Sequence, residues 1–550
     1  MVKVIPLGGL GEIGLNMMLF EADETILVVD CGLMFPDEHM PGVDLVIPSF
    51  AYLEDKRERV KAVILTHGHE DHIGAMPFFL RDFEVPVYGT RFTLALLEEK
   101  LKEHHLPGKV DLREVRAGDL TEVPPFKVEY ISVSHSIVDG VGLAIQTPEG
   151  LLIHSGDFRI DPTPVDSQFT DLVRFAHHGE SGVLAFFSDS TNAEKEGSTL
   201  SEREVTRTIE EIFRQAKGRI IVAAFASNIT RIQQVILLAL KYGRRIVFNG
   251  KSMTTNVMIA RRLGFIDMPD DLEISERQIA QFADDKITVL TTGTQGEPMS
   301  ALARMAQGAH RTIQIKPGDT VVLSSRFIPG NERAITNIIN RLYRLGADVI
   351  YEKVSEIHTS GHARQEELKT MLSLVRPRYL VPVHGEYRHL IKHARLAVEM
   401  GMSPEQTLVV EDGAVLACKG GRVGVQGQVE TGRIMVDGKG VGDVAEMVLR
   451  DRRRLSGHGM VIVLLAIDAQ TGEPVYGPDI LSRGFVLQDQ GGYILQEARE
   501  LVREVTEELA ASAPPVNWSD VEEEIERRLR RFFYKSIERN PLVLPLIISV

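Results

Sequence analysis

Cysteine is almost missing from this chain: Cys31 and Cys418 are the only two among 550 residues. Two thiols cannot build a disulfide framework, and their scarcity fits a reducing cytosol. Nor is there an apolar run near the roughly 20 residues that a membrane span requires. The N-terminus, Met1-Val2-Lys3-Val4-Ile5, enters a strand pattern at once, without the basic and apolar stretches of a signal peptide. The expectation is a soluble cytoplasmic protein with no membrane partner. Internal repeats and low-complexity tracts are absent too, and the length points to two to four ordinary domains. Positive charge is the last deficit: 62 Lys and Arg face 77 Asp and Glu, a net charge of −15. That argues against a surface basic all over, the usual footprint of a polyanion binder. It leaves room for a local basic groove or bound cations beneath acidic outer faces. Arg231, Arg304, Arg311 and Arg326 are candidates for such a groove.

Histidine, by contrast, is concentrated. Thr66-His67-Gly68-His69-Glu70-Asp71-His72 comes directly after the apolar stretch Ala62-Val63-Ile64-Leu65. A loop leaving a buried strand aims alternate side chains at one point, and imidazole nitrogen with carboxylate oxygen suits zinc or a similar first-row divalent ion. The His-x-His-x-Asp-His spacing offers two pairs of ligands, enough to begin two neighbouring sites. A structural zinc site favours thiolates and a closed coordination sphere, whereas a catalytic one keeps a position open for water. Three later strand ends offer more ligands. The alternating stretch 128–133 leads to Ser134-His135, the strand pair within 141–153 leads to Asp157, and Tyr379-Leu380-Val381-Pro382-Val383 leads to His384. Any one of these alone reads as an ordinary hydrogen-bonded residue; beside the cluster at 67–72 they read as one metal centre.

Other motifs carry less. Gly9-Leu10-Gly11-Glu12-Ile13-Gly14 matches a dinucleotide-binding pattern, but that fold needs a helix after the glycines, and residues 16–29 read as a hairpin instead. Arg452-Arg453-Arg454 and the Arg527 to Arg531 run read as solvated charged faces, the second because acidic residues flank it. His177-His178 would point about 100° apart on a helix and would not share an ion.

Taken together, the motifs resemble the metallo-β-lactamase superfamily, its nucleic-acid-processing β-CASP branch, and within that branch the bacterial ribonuclease J family. The matching pieces are Asp30-Cys31-Gly32, the His67 to His72 run, His135, Asp157, Asp189-Ser190-Thr191-Asn192, His358-Thr359-Ser360-Gly361-His362 and Pro382-Val383-His384-Gly385-Glu386. The first four recur across the superfamily; the last three point to nucleases. The resemblance implies an α/β fold: an αββα metallo-β-lactamase sandwich begun by residues 1–195, an inserted α/β β-CASP domain at 196–350, a return to the sandwich with a linker at 351–445, and a small α/β C-terminal domain at 446–550. The chain's own rhythm agrees. A capping box at Ser201 and Glu204 opens a helix, and strands at 219–224, 245–248, 287–291 and 320–325 alternate with helices at 229–242 and 331–345, as in a parallel sheet. The last unit reads as a strand at 460–467, helices at 493–509 and 519–537, and an apolar strand at 542–550.

By resemblance, His67, His69 and His135 hold one divalent ion, Asp71, His72 and His384 hold a second, and Asp157 bridges them. Zinc is expected, with manganese or magnesium as alternatives. Asp30 would orient a ligand imidazole, although a turn aspartate before Gly32 looks much the same in sequence. The catalytic set implied is Asp71, Asp189 and His362, with His362 as general acid or electrostatic partner for the leaving 3′ oxygen and Asp189 orienting it. His358, Thr359, Ser360, Gly361 and His362 would bind phosphate, with an anion nest around Gly361. Ser227 and Asn228 read either as a site for a terminal 5′ phosphate or as a helix cap. The implied activity is 5′→3′ exonuclease and endonuclease action on single-stranded RNA, preferring a 5′ monophosphate, in mRNA decay and rRNA maturation. A homodimer or tetramer joined through the C-terminal domain is implied as well. One alternative is a small-molecule metallohydrolase, which shares the first four motifs but has no use for 358–362 or the insertion. The other is a non-catalytic RNA-binding scaffold, against which all seven ligand positions stand intact.

Overall fold

Val2–Gly8, Met17–Ala22 and Thr25–Val29 form an antiparallel run in which nearly every side chain is buried. Burial on both faces is why these segments read as continuous apolar stretches. The hairpin leaves no helix after the glycines at 9–14, so the dinucleotide reading falls. The computed structural model describes residues 1–37, 39–106, 108, 110–297, 299–325, 327, 331–352, 355, 357–438, 440–442, 446–468, 473–485, 492–510 and 518–550.

These strands belong to an eight-stranded sheet ordered Arg422–Gln428, Ala414–Lys419, Val2–Gly8, Met17–Ala22, Thr25–Val29, Val60–Ile64, Val87–Gly89, Leu112–Glu114. Facing it is a six-stranded sheet ordered Tyr379–Val383, Val183–Asp189, Gly150–His154, Val141–Thr147, Phe126–Ser132, Leu120–Val123. Val4, Phe20, Leu27 and Ile64 from the first interleave with Tyr130, Leu143, Phe187 and Val381 from the second in one core. The outer face of the second sheet packs through Ile153, Phe186 and Leu380 against Phe175, Met371 and Leu396 of three helices. The helix Arg91–Glu103 packs beside the edge strands of the first sheet. The result is the expected αββα sandwich.

Its strands are not contiguous in sequence. After Val183–Asp189 the chain builds a separate sheet of five parallel strands, ordered Arg245–Asn249, Ile287–Thr291, Ile220–Ala223, Thr320–Leu323, Asp348–Ile350. The helix Glu202–Gln215 precedes them, and Ile229–Lys241, Lys251–Arg262 and Glu332–Arg344 lie between them in sequence. Ser201 and Glu204 do form the capping box. The chain then returns: Tyr379–Val383 pairs parallel with Val183–Asp189, and a hairpin with its turn at Gly420 and Gly421 adds to the first sheet beside Val2–Gly8.

The chain divides into two compact units, residues 1–34 with 47–433, and residues 35–46 with 434–550. The second unit takes in a stretch that the sequence pattern assigns to the first domain. Asp44 explains this: its N–H donates to the Val436 carbonyl at 2.9 Å, and its carboxylate accepts from Gly438 N at 2.7 Å. Arg452 reaches the carbonyls of Pro41 and Gly42 and the carboxylate of Asp437. It is a structural tie and not part of a solvated face, which corrects that expectation.

Within the second unit, Met460–Ile467 pairs antiparallel with Pro474–Arg483 and parallel with Leu542–Ser549. The helices Gly492–Ala510 and Trp518–Ile537 cover one side of this sheet through Val461, Val463 and Val543. On the other side Leu481, Leu544, Leu546 and Ile548 are all at least 40% exposed. No helix among the described residues is long and apolar enough to cross a membrane.

Candidate active site

Five strands of the sandwich end at one edge and deliver the expected side chains there. Val60–Ile64 leads to Thr66–His72, Phe126–Ser132 to His135, Gly150–His154 to Asp157, Val183–Asp189 ends on Asp189, and Tyr379–Val383 leads to His384. Two donor groups result, His67 with His69 and His135, and Asp71 with His72, Asp157 and His384; within each, one ligand atom per residue lies within 4.8 Å of the others.

In the first group His69 Nδ1 stands 3.0 Å from His67 Nε2 and 3.1 Å from His135 Nε2. His135 presents that nitrogen because its Nδ1–H donates to the Gly361 carbonyl at 2.8 Å, which fixes the tautomer. Glycine is required at 361: a Cβ would sit 2.6 Å from the His135 ring. Burial, and then the charge of His72, holds His67 well below the usual imidazole range; burial also holds His135 down and takes His69 to about 4. Three neutral lone pairs therefore converge on one point.

The second group is built around charge. The Asp30 carboxylate accepts from Thr66 N at 2.8 Å, Thr66 Oγ1 at 2.7 Å and His72 Nδ1 at 2.8 Å, so His72 turns Nε2 toward Asp157 Oδ2 at 3.3 Å. Asp30 thus fixes the orientation of the His72 imidazole, and Gly32 lets the loop close: a Cβ there would fall 1.6 Å from the Asp71 carbonyl. Asn16, unremarked in the sequence, donates to that same carbonyl at 3.0 Å. His384 Nδ1 lies 2.6 Å from Thr191 Oγ1, whose proton goes to Asp189 Oδ1 at 2.8 Å. His384 Nε2 then faces Asp71 Oδ2 at 3.3 Å and Asp157 Oδ2 at 3.4 Å. Burial disfavours charge here, yet Asp157 and Asp71 raise His384 to about 9 and hold His72 up, while these imidazoles hold both carboxylates well below their usual range. Both donor sets, neutral imidazoles and imidazoles balanced by carboxylates, fit a divalent cation.

Asp189 Oδ2 accepts from His362 Nδ1 at 2.8 Å, joining residues 173 positions apart. His362 is left with Nε2 available and a partly exposed ring. The segment before it is tied down from several sides. The Ile357 carbonyl accepts from Arg231 Nη1 at 2.7 Å and Ser324 Oγ at 2.7 Å, and the Ser360 carbonyl lies 3.4 Å from Arg159 Nη1. Glu202 links the two arginines, 2.6 Å from Arg231 and 3.5 Å from Arg159. Despite its burial, these cations hold Glu202 at about 2.

This arrangement corrects several expectations. Arg231 is fully buried and ion-paired, so it lines no groove. Arg304 is half-buried, Arg311 is exposed, and Arg326 lies outside the described residues. Asn228 is buried and caps the helix Ile229–Lys241, its Oδ1 accepting from Arg231 N at 3.0 Å, which is the cap reading of this pair; Ser227 is partly exposed beside it. Thr359 is buried and donates its hydroxyl to the Leu200 carbonyl, a packing role and not a phosphate contact. The Gly361 carbonyl serves His135, and the loop there has no left-handed glycine of the sort an anion nest uses. His358 and Ser360 stay partly exposed in the same segment.

A carboxyl pair missed in the sequence braces the glycine loop at the edge of the site. Asp412 Oδ1 accepts from Leu10 N at 3.0 Å, and Leu10 pairs with Gly385 next to His384. Burial and the neighbouring Glu12 push Asp412 up from 3.8 to about 8. A carboxyl raised on folding stabilises fully below its unfolded value and loses that contribution as pH climbs through the folded one. Asp412→Asn keeps the Leu10 acceptor and cannot ionise. Its gain in melting temperature over the parent should therefore grow from pH 5 to pH 8 and then level off; a gain independent of pH refutes the assignment.

Comparison with known proteins places this geometry. Residues 10–166 match the metallo-β-lactamase superfamily, 217–342 the ribonuclease J β-CASP domain, 346–409 the Zn-dependent metallo-hydrolase RNA specificity domain, and 447–550 the ribonuclease J C-terminal domain. The whole chain is 43% identical over 549 residues to ribonuclease J2 of Bacillus subtilis, covering 99% of it. It is likewise 43% identical over 556 residues to ribonuclease J of Thermus thermophilus, covering 95% of that protein. A solved structure of a protein of unknown function from Enterococcus faecalis shares the fold, with a TM-score of 0.51 at 15% identity over 70% of this chain and 94% of that one. The metal-binding donor sets and the RNA specificity domain agree on a divalent-metal-dependent, RNA-binding hydrolase: the chain belongs to the ribonuclease J family and is a metal-dependent ribonuclease.

Proposed function

We propose that the site works with two divalent ions, zinc or else manganese or magnesium. His67, His69 and His135 hold the first, Asp71, His72 and His384 the second, and Asp157 lies between. The observation that carries this is Asp157 Oδ2, which lies 3.3 to 3.8 Å from four imidazole nitrogens drawn from both groups. Bound ions supply Lewis-acid charge and acidify a water enough to attack phosphorus at neutral pH. The protein's residues orient and move protons. Asp30, the Gly361 carbonyl and Thr191 fix the tautomers of His72, His135 and His384. The Asp189 carboxylate at His362 Nδ1 favours the imidazolium form, whose Nε2–H would pass to the leaving 3′ oxygen, leaving His362 neutral with its proton on Nδ1. The products are a 5′ phosphate and a 3′ hydroxyl.

The substrate in this reading is single-stranded RNA entering between the sandwich and the inserted domain. Ser360, His358 and Ser227 receive the terminal 5′ phosphate, which supports 5′→3′ exonuclease action preferring a monophosphate, with endonuclease action independent of the 5′ end. Such an enzyme serves mRNA decay and rRNA maturation in the cytoplasm. The test uses RNAs of one sequence with 5′ monophosphate, triphosphate or hydroxyl ends, resolved by product size with and without chelator. Mononucleotide release should depend on the monophosphate, and all cleavage should stop with chelator and resume with added divalent ion. Chelator-resistant cleavage overturns the metal reading; equal mononucleotide release from all three ends overturns the pocket.

The exposed apolar face of Leu481, Leu544, Leu546 and Ile548 is proposed to receive a second copy of the chain, giving a dimer or tetramer. Leu546→Glu with Ile548→Glu should lower the mass seen by light scattering without changing helix content. An unchanged mass removes this face from the assembly.

A further inference from the structure

We propose that Asn192, held in one orientation by Lys195, fixes Ser360 as a hydrogen-bond donor and so makes it selective for a phosphate oxygen; this rests on the reading of Ser360 as a phosphate-binding residue. A carboxamide has a donor end and an acceptor end of nearly the same shape, and its neighbours decide which way it faces. Asn192 is buried, and two of its neighbours cannot change role. The Lys195 ammonium can only donate, and it lies 2.5 Å from Asn192 Oδ1. The His362 carbonyl can only accept, and it lies 2.9 Å from Asn192 Nδ2.

With Nδ2 turned to that side, its remaining contact, Ser360 Oγ at 2.7 Å, must accept. The His362 N–H donates to the same oxygen at 3.3 Å. Both lone pairs of the Ser360 hydroxyl are then occupied, and none of its hydrogen bonds among the described residues uses its proton. A free serine hydroxyl can accept or donate, so it serves water, a ribose hydroxyl or a phosphate alike. This one can only donate. It therefore favours an acceptor-only anion over a 5′ hydroxyl, which would bring a proton of its own.

Asn192 and Lys195 are positioning residues in this account, and a double-mutant cycle isolates their effect. The readout is the ratio of kcat/KM for 5′-monophosphate over 5′-hydroxyl RNA of one sequence, with KM and kcat resolved and metal content checked. Asn192→Asp keeps the shape and the Lys195 contact but can only accept, so the Ser360 proton turns to it and away from substrate. Ser360→Ala and Asn192→Asp should each lower the ratio roughly tenfold or more, the worth of one hydrogen bond to a charged group, mainly through KM. The double variant should fall no further than Ser360→Ala. Lys195→Arg, still donor-only, should keep the ratio, and Lys195→Gln, which can present either end, should lower it; this pair decides the matter if Asn192→Asp does not fold. If Ser360→Ala keeps the full ratio, the phosphate-binding reading itself falls. If Ser360→Ala loses it while Asn192→Asp keeps it, or lowers it further in the Ser360→Ala background, the orientation lock is wrong and the phosphate-binding reading stands.

Discussion

Asp157→Ala should abolish RNA cleavage, by more than roughly 10³-fold, and strip bound metal, while the metal-free protein still folds but melts lower, because His72 and His384 lose a buried carboxylate partner. The expected loss comes from where the carboxylate sits. Its Oδ2 faces His67, His72, His135 and His384 at 3.3 to 3.8 Å, so it serves both donor groups at once, and alanine removes the shared negative charge from each. Little packing is lost, because the surroundings are polar side chains rather than the sandwich core. Asp157→Asn should fall between the two, keeping an oxygen donor without its charge. The measurements are metal content, melting temperature and cleavage of a labelled RNA. Full activity in Asp157→Ala would end the two-ion reading.

His362→Ala is expected to separate chemistry from metal binding. It touches Asp189 at 2.8 Å and lies 3.9 Å from Asp157, yet neither donor group of the proposed two-ion site needs it. Turnover should drop about 10²–10⁴-fold, the usual worth of a general acid, with metal content near normal. Asp189→Asn should behave differently. Asp189 steadies His362 directly and His384 through Thr191, so this change should lower turnover and loosen metal together. Loss of metal in His362→Ala would make His362 a ligand and not an acid.

The convergence of the seven His and Asp residues was legible because each falls just past an apolar strand, and strands of one sheet bring their ends together whatever lies between them. The five-stranded insert was legible because period and turn residues are local, whereas the sandwich was implied by the family resemblance. What escaped depends on partners distant in sequence. Arg231 looks like any surface arginine until Glu202 and the Ile357 carbonyl enclose it. Thr359 looks like a phosphate ligand until Leu200 takes its proton. Asn16 and Asp412 carry no motif, and Thr191, although inside the run Asp189 to Asn192, shows its role only once His384 lies beside it. Arg452 looks solvated because the stretch it binds, around Pro41 and Gly42, sits more than 400 residues earlier.

The order of the sandwich strands has a consequence for synthesis. Six of the seven proposed ligands are made by residue 157, but His384 and the strand Tyr379–Val383 emerge only after the five-stranded insert. At translation rates of about 5–20 residues per second, the interval from Asp157 to His384 lasts roughly 10–45 seconds. Once made, Val183–Asp189 is an open sheet edge for the rest of this interval, a hazard that only the returning strand removes. A nascent chain therefore lacks a complete second donor group until the five-stranded domain has been made. Both donor groups can therefore form only after 384 of the 550 residues have been joined.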